Sequence, residues 1–136
     1  MDNFYPHIES RISEDGSSTL YRPDIDEHYH SIHGAIQESK HVFIRAGLDY
    51  FSGQNPSILD AGFGTGLNAL LTMIYRNERQ VRYHAIERWP LDEKLIAGIN
   101  YPECLSSKNP DAEKYFRKLH ESPWNQTSQI TPWFSL

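Results

Sequence analysis

Apolar positions along the chain change their spacing several times, and each change marks a predicted element. The clearest stretch predicts a strand over residues 57–61, a helix over 67–75 and a second strand over 80–87. In the second strand apolar and polar residues alternate, as in a strand with one buried face. A strand, a tight turn, a helix and another strand form half of a right-handed βαβ unit, the building block of parallel nucleotide-binding sheets.

Two further elements are predicted before this unit. Residues 17–21 have the composition of a short strand. Residues 31–46 carry apolar side chains at mixed three- and four-residue intervals, which predicts a helix, and Gly47 is well placed to end it. We therefore expect residues 1–56 to form an amino-terminal extension with one helix. A loop then leads to residues 57–136, the first part of a Rossmann-like domain.

Two more helices are predicted after the second strand. Pro90 suits the first turn of one, with Asp92 and Glu93 near its positive end. The other is predicted over residues 111–120, where aromatic and aliphatic residues share one face. Residues 122–136 contain tryptophan and proline without a clear period, so no element is predicted there.

The composition limits the classes of protein that fit. A length of 136 residues suits one domain. No apolar run approaches the roughly 18 residues that a membrane span needs, and no secretory signal pattern is visible. Cys104 is the single cysteine, which excludes an internal disulfide and a thiolate zinc cluster. A net charge of −5 argues weakly against tight nucleic-acid binding by this chain. We expect a cytoplasmic protein.

The segment 58–68, Ile-Leu-Asp-Ala-Gly-Phe-Gly-Thr-Gly-Leu-Asn, carries the most specific chemical signal. Glycines at every second position let the backbone turn sharply and approach a ligand. Leu67 stands where the third glycine of a dinucleotide fingerprint would be. Asp60, at the end of the strand, would disfavour a pyrophosphate above the helix terminus. S-adenosylmethionine (SAM) has no phosphate and carries two cationic groups, so the segment favours SAM.

A second acidic residue agrees with an adenosine-bearing ligand. Glu87 ends the second predicted strand, about 20 residues after the last glycine, where a ribose-binding acid is expected. An exposed carboxylate at the start of a helix is the alternative for this residue. Trp89 suits either stacking on the adenine ring or ordinary packing.

Four segments together resemble the MnmC-like methyltransferases. They are residues 26–31 (Asp-Glu-His-Tyr-His-Ser), 34–44 (Gly-Ala-Ile-Gln-Glu-Ser-Lys-His-Val-Phe-Ile), 62–68 (Gly-Phe-Gly-Thr-Gly-Leu-Asn) and 87–91 (Glu-Arg-Trp-Pro-Leu). The resemblance implies an α/β, Rossmann-like fold of the class I SAM-dependent methyltransferases. It also implies methylation of the aminomethyl group of a 2-thiouridine at the tRNA wobble position, with SAM as cofactor and tRNA as partner.

The resemblance also implies roles for individual residues. The methionine end of the SAM pocket would be shaped by Asp60, Gly62, Phe63, Gly64 and Gly66. Asn68 would form a hydrogen bond there, Glu87 would hold the ribose hydroxyls and Trp89 would lie beside the cofactor. Tyr29, Ser31 and Glu38 would cap the cofactor or meet the substrate amine, with Tyr29 and Glu38 as the substrate-side candidates. No catalytic residue is assigned.

The match with the family stops before the end of its methyltransferase pattern. A later segment of the family, F-L-D-G-F-x-P-x-x-N-P, has no counterpart before Leu136, and neither does the FAD oxidase module of its bifunctional members. We therefore expect an incomplete domain, the amino-terminal portion of the enzyme. A parallel sheet cut after two or three strands would leave an open edge, through which a homodimer can form.

Other interpretations remain open at the level of sequence. The histidine-rich segment 27–33 binds a metal if His30 and His33 share a helix face, although no metal site is predicted. The alternatives to tRNA methylation are a non-catalytic SAM-binding or interaction fragment and a methyltransferase of the same fold with another substrate. Asp60 and the glycine spacing disfavour an NAD-dependent dehydrogenase. Titration with SAM separates a formed pocket from a scaffold.

Overall fold

A three-stranded antiparallel sheet begins the part of the chain that the computed structural model describes, residues 5–136. Its strands are β1 (Glu9–Ile12), β2 (Ser18–Arg22) and β3 (Glu27–His28), in the order β1-β2-β3. The strand predicted over residues 17–21 is confirmed as β2. Its two partners are too short for their sequence pattern to reveal them.

The first helix lies later than its sequence pattern predicts. α1 (Ala35–Ser39) continues directly as a π-helical stretch, Lys40–Leu48. The start is delayed because Gly34, with φ of 153°, interrupts any helix before Ala35. The prediction that Gly47 ends the helix is wrong, because the chain stays helical to Leu48, whose side chain is buried in the core.

The β1–β2 turn caps α1, in place of the residue that precedes the helix. Three backbone N–H groups in the first turn of α1 donate to side-chain oxygens of that turn. The pairs are Ala35 to Ser13 Oγ at 3.0 Å, Ile36 to Ser17 Oγ at 3.1 Å and Gln37 to Asp15 Oδ2 at 2.9 Å. These bonds satisfy donors that every helix leaves free at its start, so the small sheet and α1 stabilise each other.

The second sheet has four strands in the order β4-β5-β7-β6. They are β4 (Ser57–Ala61), β5 (Val81–Ile86), β6 (Gln129–Thr131) and β7 (Phe134–Ser135). β4, β5 and β7 are parallel, while β6 is antiparallel to β7. The crossover helix α2 (Leu67–Tyr75) and strand β4 have the predicted bounds. β6 and β7 form in a segment for which no element is predicted.

Three short helices connect β5 to β6. They are α3 (Glu93–Ala97), α4 (Tyr101–Leu105) and α5 (Ala112–Glu121). α3 begins after the predicted Pro90, because the Asp92 side chain caps it by accepting the N–H three residues further on at 2.8 Å. α5 is confirmed within one residue at each end, and α4 is not predicted.

The core lies on one face of the second sheet. α2 and α5 pack together there, and their buried side chains join Val81 and Tyr83 of β5 in a single cluster. On the opposite face Leu59 is 66% exposed and Ile86 is 60% exposed. The Rossmann-like α/β fold class is confirmed, and the core places the glycine turn at the carboxyl end of β4.

β4 is an edge strand among the described residues. Formation of a homodimer through this edge stays a prediction, as do the domain bounds at residues 56 and 57. No helix within residues 5–136 combines the length and the apolar character needed to cross a membrane.

Candidate cofactor-binding site

The glycine turn between β4 and α2 is fixed to the end of β5 by backbone hydrogen bonds. The N–H groups of Gly62 and Phe63 both donate to the Ile86 carbonyl, at 2.9 and 3.1 Å. Gly64 and Gly66 have φ of 52° and 75°, a left-handed conformation that other residues adopt only with strain. A Cβ added at Gly62 would meet no atom within 4 Å, so open space lies beside the turn.

Glu87 holds this turn from the end of the neighbouring strand. Its Oε2 accepts the Gly64 N–H at 2.9 Å, and its Oε1 accepts the Trp89 N–H at 2.7 Å. An ionised carboxylate has about four acceptor positions, so two remain for a ligand. Glu87 can therefore support the turn and still accept hydrogen bonds from the hydroxyls of a ribose.

A cavity of about 250 Å³ separates the amino-terminal residues from the glycine turn. We call residues 5–56, the described part of the amino-terminal extension, the leader, and this space the leader cavity. It brings together five of the residues singled out from the sequence, and the remaining lining residues are Arg22, Ile25, Glu27 and His28. The five are Tyr29, Gly62, Gly64, Glu87 and Trp89.

Tyr29 covers the glycine turn from the side of the leader cavity. Its ring lies so close to Gly64 that a Cβ there would be 3.2 Å from Tyr29 Cδ2. Burial and the negative charge of Glu87 raise the pKa of the Tyr29 hydroxyl. The hydroxyl is therefore neutral at physiological pH, and it can donate a hydrogen bond to a ligand in this cavity.

A second cavity, of about 420 Å³, shares Gly64 with the leader cavity as a lining residue. We call it the tail cavity, because much of its wall comes from residues 122–127. Phe63, Trp124 and Gln126 give this wall aromatic faces and an amide group. Such a wall suits a planar, nitrogen-containing ring. The sequence shows no signal for it, since the tail has no periodic pattern.

Asp60 lies beneath the turn and lines neither cavity. It is 7% exposed, and its Oδ2 accepts a hydrogen bond from the Tyr83 hydroxyl at 2.7 Å. Burial raises the pKa of Asp60; the hydrogen bond from Tyr83 partly offsets this rise and the charge of Glu87 adds to it. In this structure Asp60 supports the core below the site and does not face the open space above the turn.

Four other predicted residues, Gly66 among them, also lie outside both cavities. Ser31 and Glu38 are bonded to each other, since the Ser31 N–H donates to Glu38 Oε2 at 3.0 Å. Asn68 lies in the first turn of α2, where its carbonyl accepts the Thr72 hydroxyl at 2.8 Å. These residues shape the surroundings of the turn, while Tyr29 and Glu87 face the space where a ligand would fit.

A buried polar cluster surrounds Thr65, between the second and third glycines. The Thr65 hydroxyl lies 3.0 Å from both the Tyr101 hydroxyl and His30 Nε2, and the Thr65 carbonyl accepts from His120 Nε2 at 3.0 Å. Burial lowers the pKa of His30 to about 4, and the charge of Glu38 opposes this shift. The sequence gives no signal for this cluster, because its members come from distant segments.

The geometry does not favour the metal-binding alternative. His30 and His33 precede α1, so they do not share a helix face, and His33 Nδ1 instead pairs with Glu14 Oε1 at 2.9 Å. Among residues 5–136, no three His, Cys, Asp or Glu side chains are arranged to hold a metal ion.

Comparison with known proteins finds similar sequences and a similar solved structure, although no family model matches the chain. It is 34% identical over 93 residues to the tRNA 5-methylaminomethyl-2-thiouridine biosynthesis bifunctional protein MnmC of Magnetococcus marinus. It is 32% identical over 100 residues to the protein of the same name from Cupriavidus metallidurans. These matches cover 62% and 68% of this chain, but only 14% and 15% of the relatives.

A solved structure supports the same relationship at the level of fold. The crystal structure of MNMC2 from Aquifex aeolicus aligns with a TM-score of 0.72 and 26% identity. The alignment covers 98% of this chain and 42% of that structure. The resemblance to the MnmC-like methyltransferases is thereby confirmed in both sequence and fold.

Proposed function

We propose that this chain, which resembles the MnmC-like methyltransferases in sequence and fold, forms the SAM-binding part of a tRNA-modifying methyltransferase. The reaction would methylate the aminomethyl group of a modified wobble uridine. One observation carries the proposal: Glu87 clamps the glycine turn between two cavities and keeps acceptor positions free. The names of the relatives, which refer to 5-methylaminomethyl-2-thiouridine biosynthesis, supply the substrate.

The residues around Gly64 fit the parts of SAM. Glu87 would accept the ribose hydroxyls with its two free acceptor positions. The adenine ring would lie in the tail cavity against Phe63 and Trp124, outside the carboxyl ends of the parallel strands, where α/β sheets bind ligands. The methionine end would lie in the leader cavity, in the open space beside Gly62 and below Tyr29.

Methyl transfer from SAM to an amine depends on positioning of the reactants more than on acid or base catalysis. Bound SAM would supply an electrophilic methyl group to a neutral amine in line, the bond between sulfur and methyl would break as the N–C bond forms, and the methylated ammonium would then lose a proton to solvent. Tyr29 would exclude water from the turn, and its hydroxyl oxygen would accept an N–H of the amine, which orients the nitrogen and leaves its lone pair free. Glu38, bonded to the Ser31 backbone, would keep the leader in shape beside this site.

Calorimetric titration with SAM tests the cofactor site. We expect micromolar binding by the unaltered chain and about 10-fold weaker binding or worse by Glu87→Gln, because hydrogen bonds to a charged acceptor contribute about 1.5–3 kcal/mol. Glu113→Gln is the matched control: Glu113 is exposed on α5 and lines neither cavity, so its removal should not change the affinity. An absence of heat at millimolar SAM would refute the proposal.

Methyl transfer requires a second assay. The chain is incubated with SAM and tRNA that carries 5-aminomethyl-2-thiouridine, and the nucleosides are analysed by mass spectrometry for a gain of one methyl group. Binding of SAM without transfer would identify this chain as a cofactor-binding fragment. Transfer to a different nucleoside would keep the reaction and change the substrate.

A further inference from the structure

Thr65 is the residue between Gly64 and Gly66, and its side chain is completely buried. Its polar contacts reach three separate parts of the chain: His30 before α1, Tyr101 at the start of α4 and His120 near the end of α5. Among the described residues of the turn, no other has hydrogen bonds to side chains from three separate segments. These contacts therefore converge on the glycine turn, whose backbone lines the proposed site.

The hydrogen bonds of this cluster form one consistent chain of donors and acceptors. The Tyr101 hydroxyl donates to Thr65 Oγ1, which can in turn donate its own proton to His30 Nε2 when that nitrogen carries no proton. In this tautomer the proton of His30 is on Nδ1, which lies 3.4 Å from the Ser39 hydroxyl. This order requires a neutral imidazole, which agrees with the lowered pKa of His30. Removal of the Thr65 hydroxyl would leave a buried donor and a buried acceptor without partners.

The residues on either side of Thr65 are those that make the site. Gly64 donates its N–H to Glu87, and Gly66 precedes the first residue of α2. Glycine backbone is the least constrained of any residue, so the shape of this turn depends on its surroundings. The rings of Tyr29 and His120 enclose the turn closely, since Cβ atoms at Gly64 and Gly66 would lie 3.2 and 3.1 Å from them.

From this arrangement we propose that Thr65 is the positioning residue of the glycine turn. Through it, the leader and helices α4 and α5 hold the Gly64 N–H and the start of α2 in the conformation that binds the cofactor. The inference rests on the proposed function for the identity of that cofactor. The conformational part concerns only this chain, so it can be tested without any ligand.

The test compares three variants by hydrogen–deuterium exchange over residues 62–68 and by SAM titration. Thr65→Val keeps the shape of the side chain and removes the hydroxyl, while Thr65→Ser restores the hydroxyl. Thr72→Val is the matched control, because Thr72 is equally buried on α2 but donates only to the carbonyl of Asn68. We expect exchange about 10-fold faster in Thr65→Val and SAM binding weaker by a similar factor, with Thr65→Ser near the unaltered chain.

The outcomes separate the inference from the proposed function. Unchanged exchange in Thr65→Val, or an equal increase in Thr72→Val, would overturn the positioning role. Faster exchange in Thr65→Val alone, together with no SAM binding by any variant, would support the positioning role and refute the cofactor. If Thr65→Val does not fold, Tyr101→Phe gives the same test, since it removes only the donor to Thr65.

Discussion

Replacement of Tyr83 by phenylalanine removes a single oxygen atom from the core, yet it leaves the carboxylate of Asp60 without its partner. The Tyr83 side chain is 1% exposed, Asp60 is 7% exposed, and 2.7 Å separates the two oxygens. A hydrogen bond to a charged group contributes about 1.5–3 kcal/mol to stability. We therefore expect the midpoint of thermal unfolding to fall by about 5–10 °C near neutral pH, given the size of the chain.

The cost of Tyr83→Phe should depend on pH in a defined direction. The folded pKa of Asp60 is raised above its ordinary 3.8. The contribution of Asp60 to stability is therefore full below pH 3.8 and is lost as the pH rises through the folded pKa. Without the hydroxyl this pKa rises further. The free-energy difference between the two proteins should therefore grow from about pH 4 to about pH 7.

Urea unfolding at several pH values measures this difference, and Tyr101→Phe provides the control. Tyr101 is also fully buried, but its hydroxyl donates to the neutral Thr65 side chain. Its loss should cost about 0.5–1.5 kcal/mol. This cost should not increase toward neutral pH, because Thr65 has no carboxylate that ionises. An equal cost of Tyr83→Phe at both ends of the pH range would refute the reasoning.

Two further predictions concern the leader. Asp15→Ala removes a cap of α1 and should destabilise the chain by about 1–2 kcal/mol in urea unfolding, whereas Glu14→Ala, which loses only an exposed pair with His33, should cost almost nothing. The folded pKa of His30 is about 4, below its ordinary 6.5, so stability should be full above 6.5 and decrease by about 3 kcal/mol as the pH falls to about 4. An NMR titration in which His30 gains its proton near pH 6.5 would contradict this.

The sequence is most informative where local pattern and tertiary structure agree. The βα unit around the glycine turn has strong periodicity and glycines with positive φ, so β4 and α2 are predictable to the residue. β7 is different: its two residues form a strand only because Phe134 pairs with Val81, far away in the chain. α4 has a single turn and a short sequence that carries no period of its own.

The residues of the site also differ in whether a local sequence pattern predicts their position. Glu87 follows from its distance to the glycines, because strand and helix lengths fix where it must lie. The orientation of Asp60 also follows from alternation, since it shares the core-facing side of β4 with Ile58. The prediction that it shapes the SAM pocket depended on its carboxylate and not on this alternation. The partners of Thr65 are tertiary contacts from one loop and two helices, and no local pattern marks them.

The cap that the β1–β2 turn provides for α1 has a consequence for the order of folding. Asp15 and Gln37 are separated by 22 residues, so the helix gains its cap only after the hairpin has closed. An isolated helix of this length is unstable, and its nucleation is the costly step. The leader should therefore fold and unfold as one cooperative unit, in which loss of the hairpin also melts α1 and withdraws Tyr29 and His30 from the glycine turn.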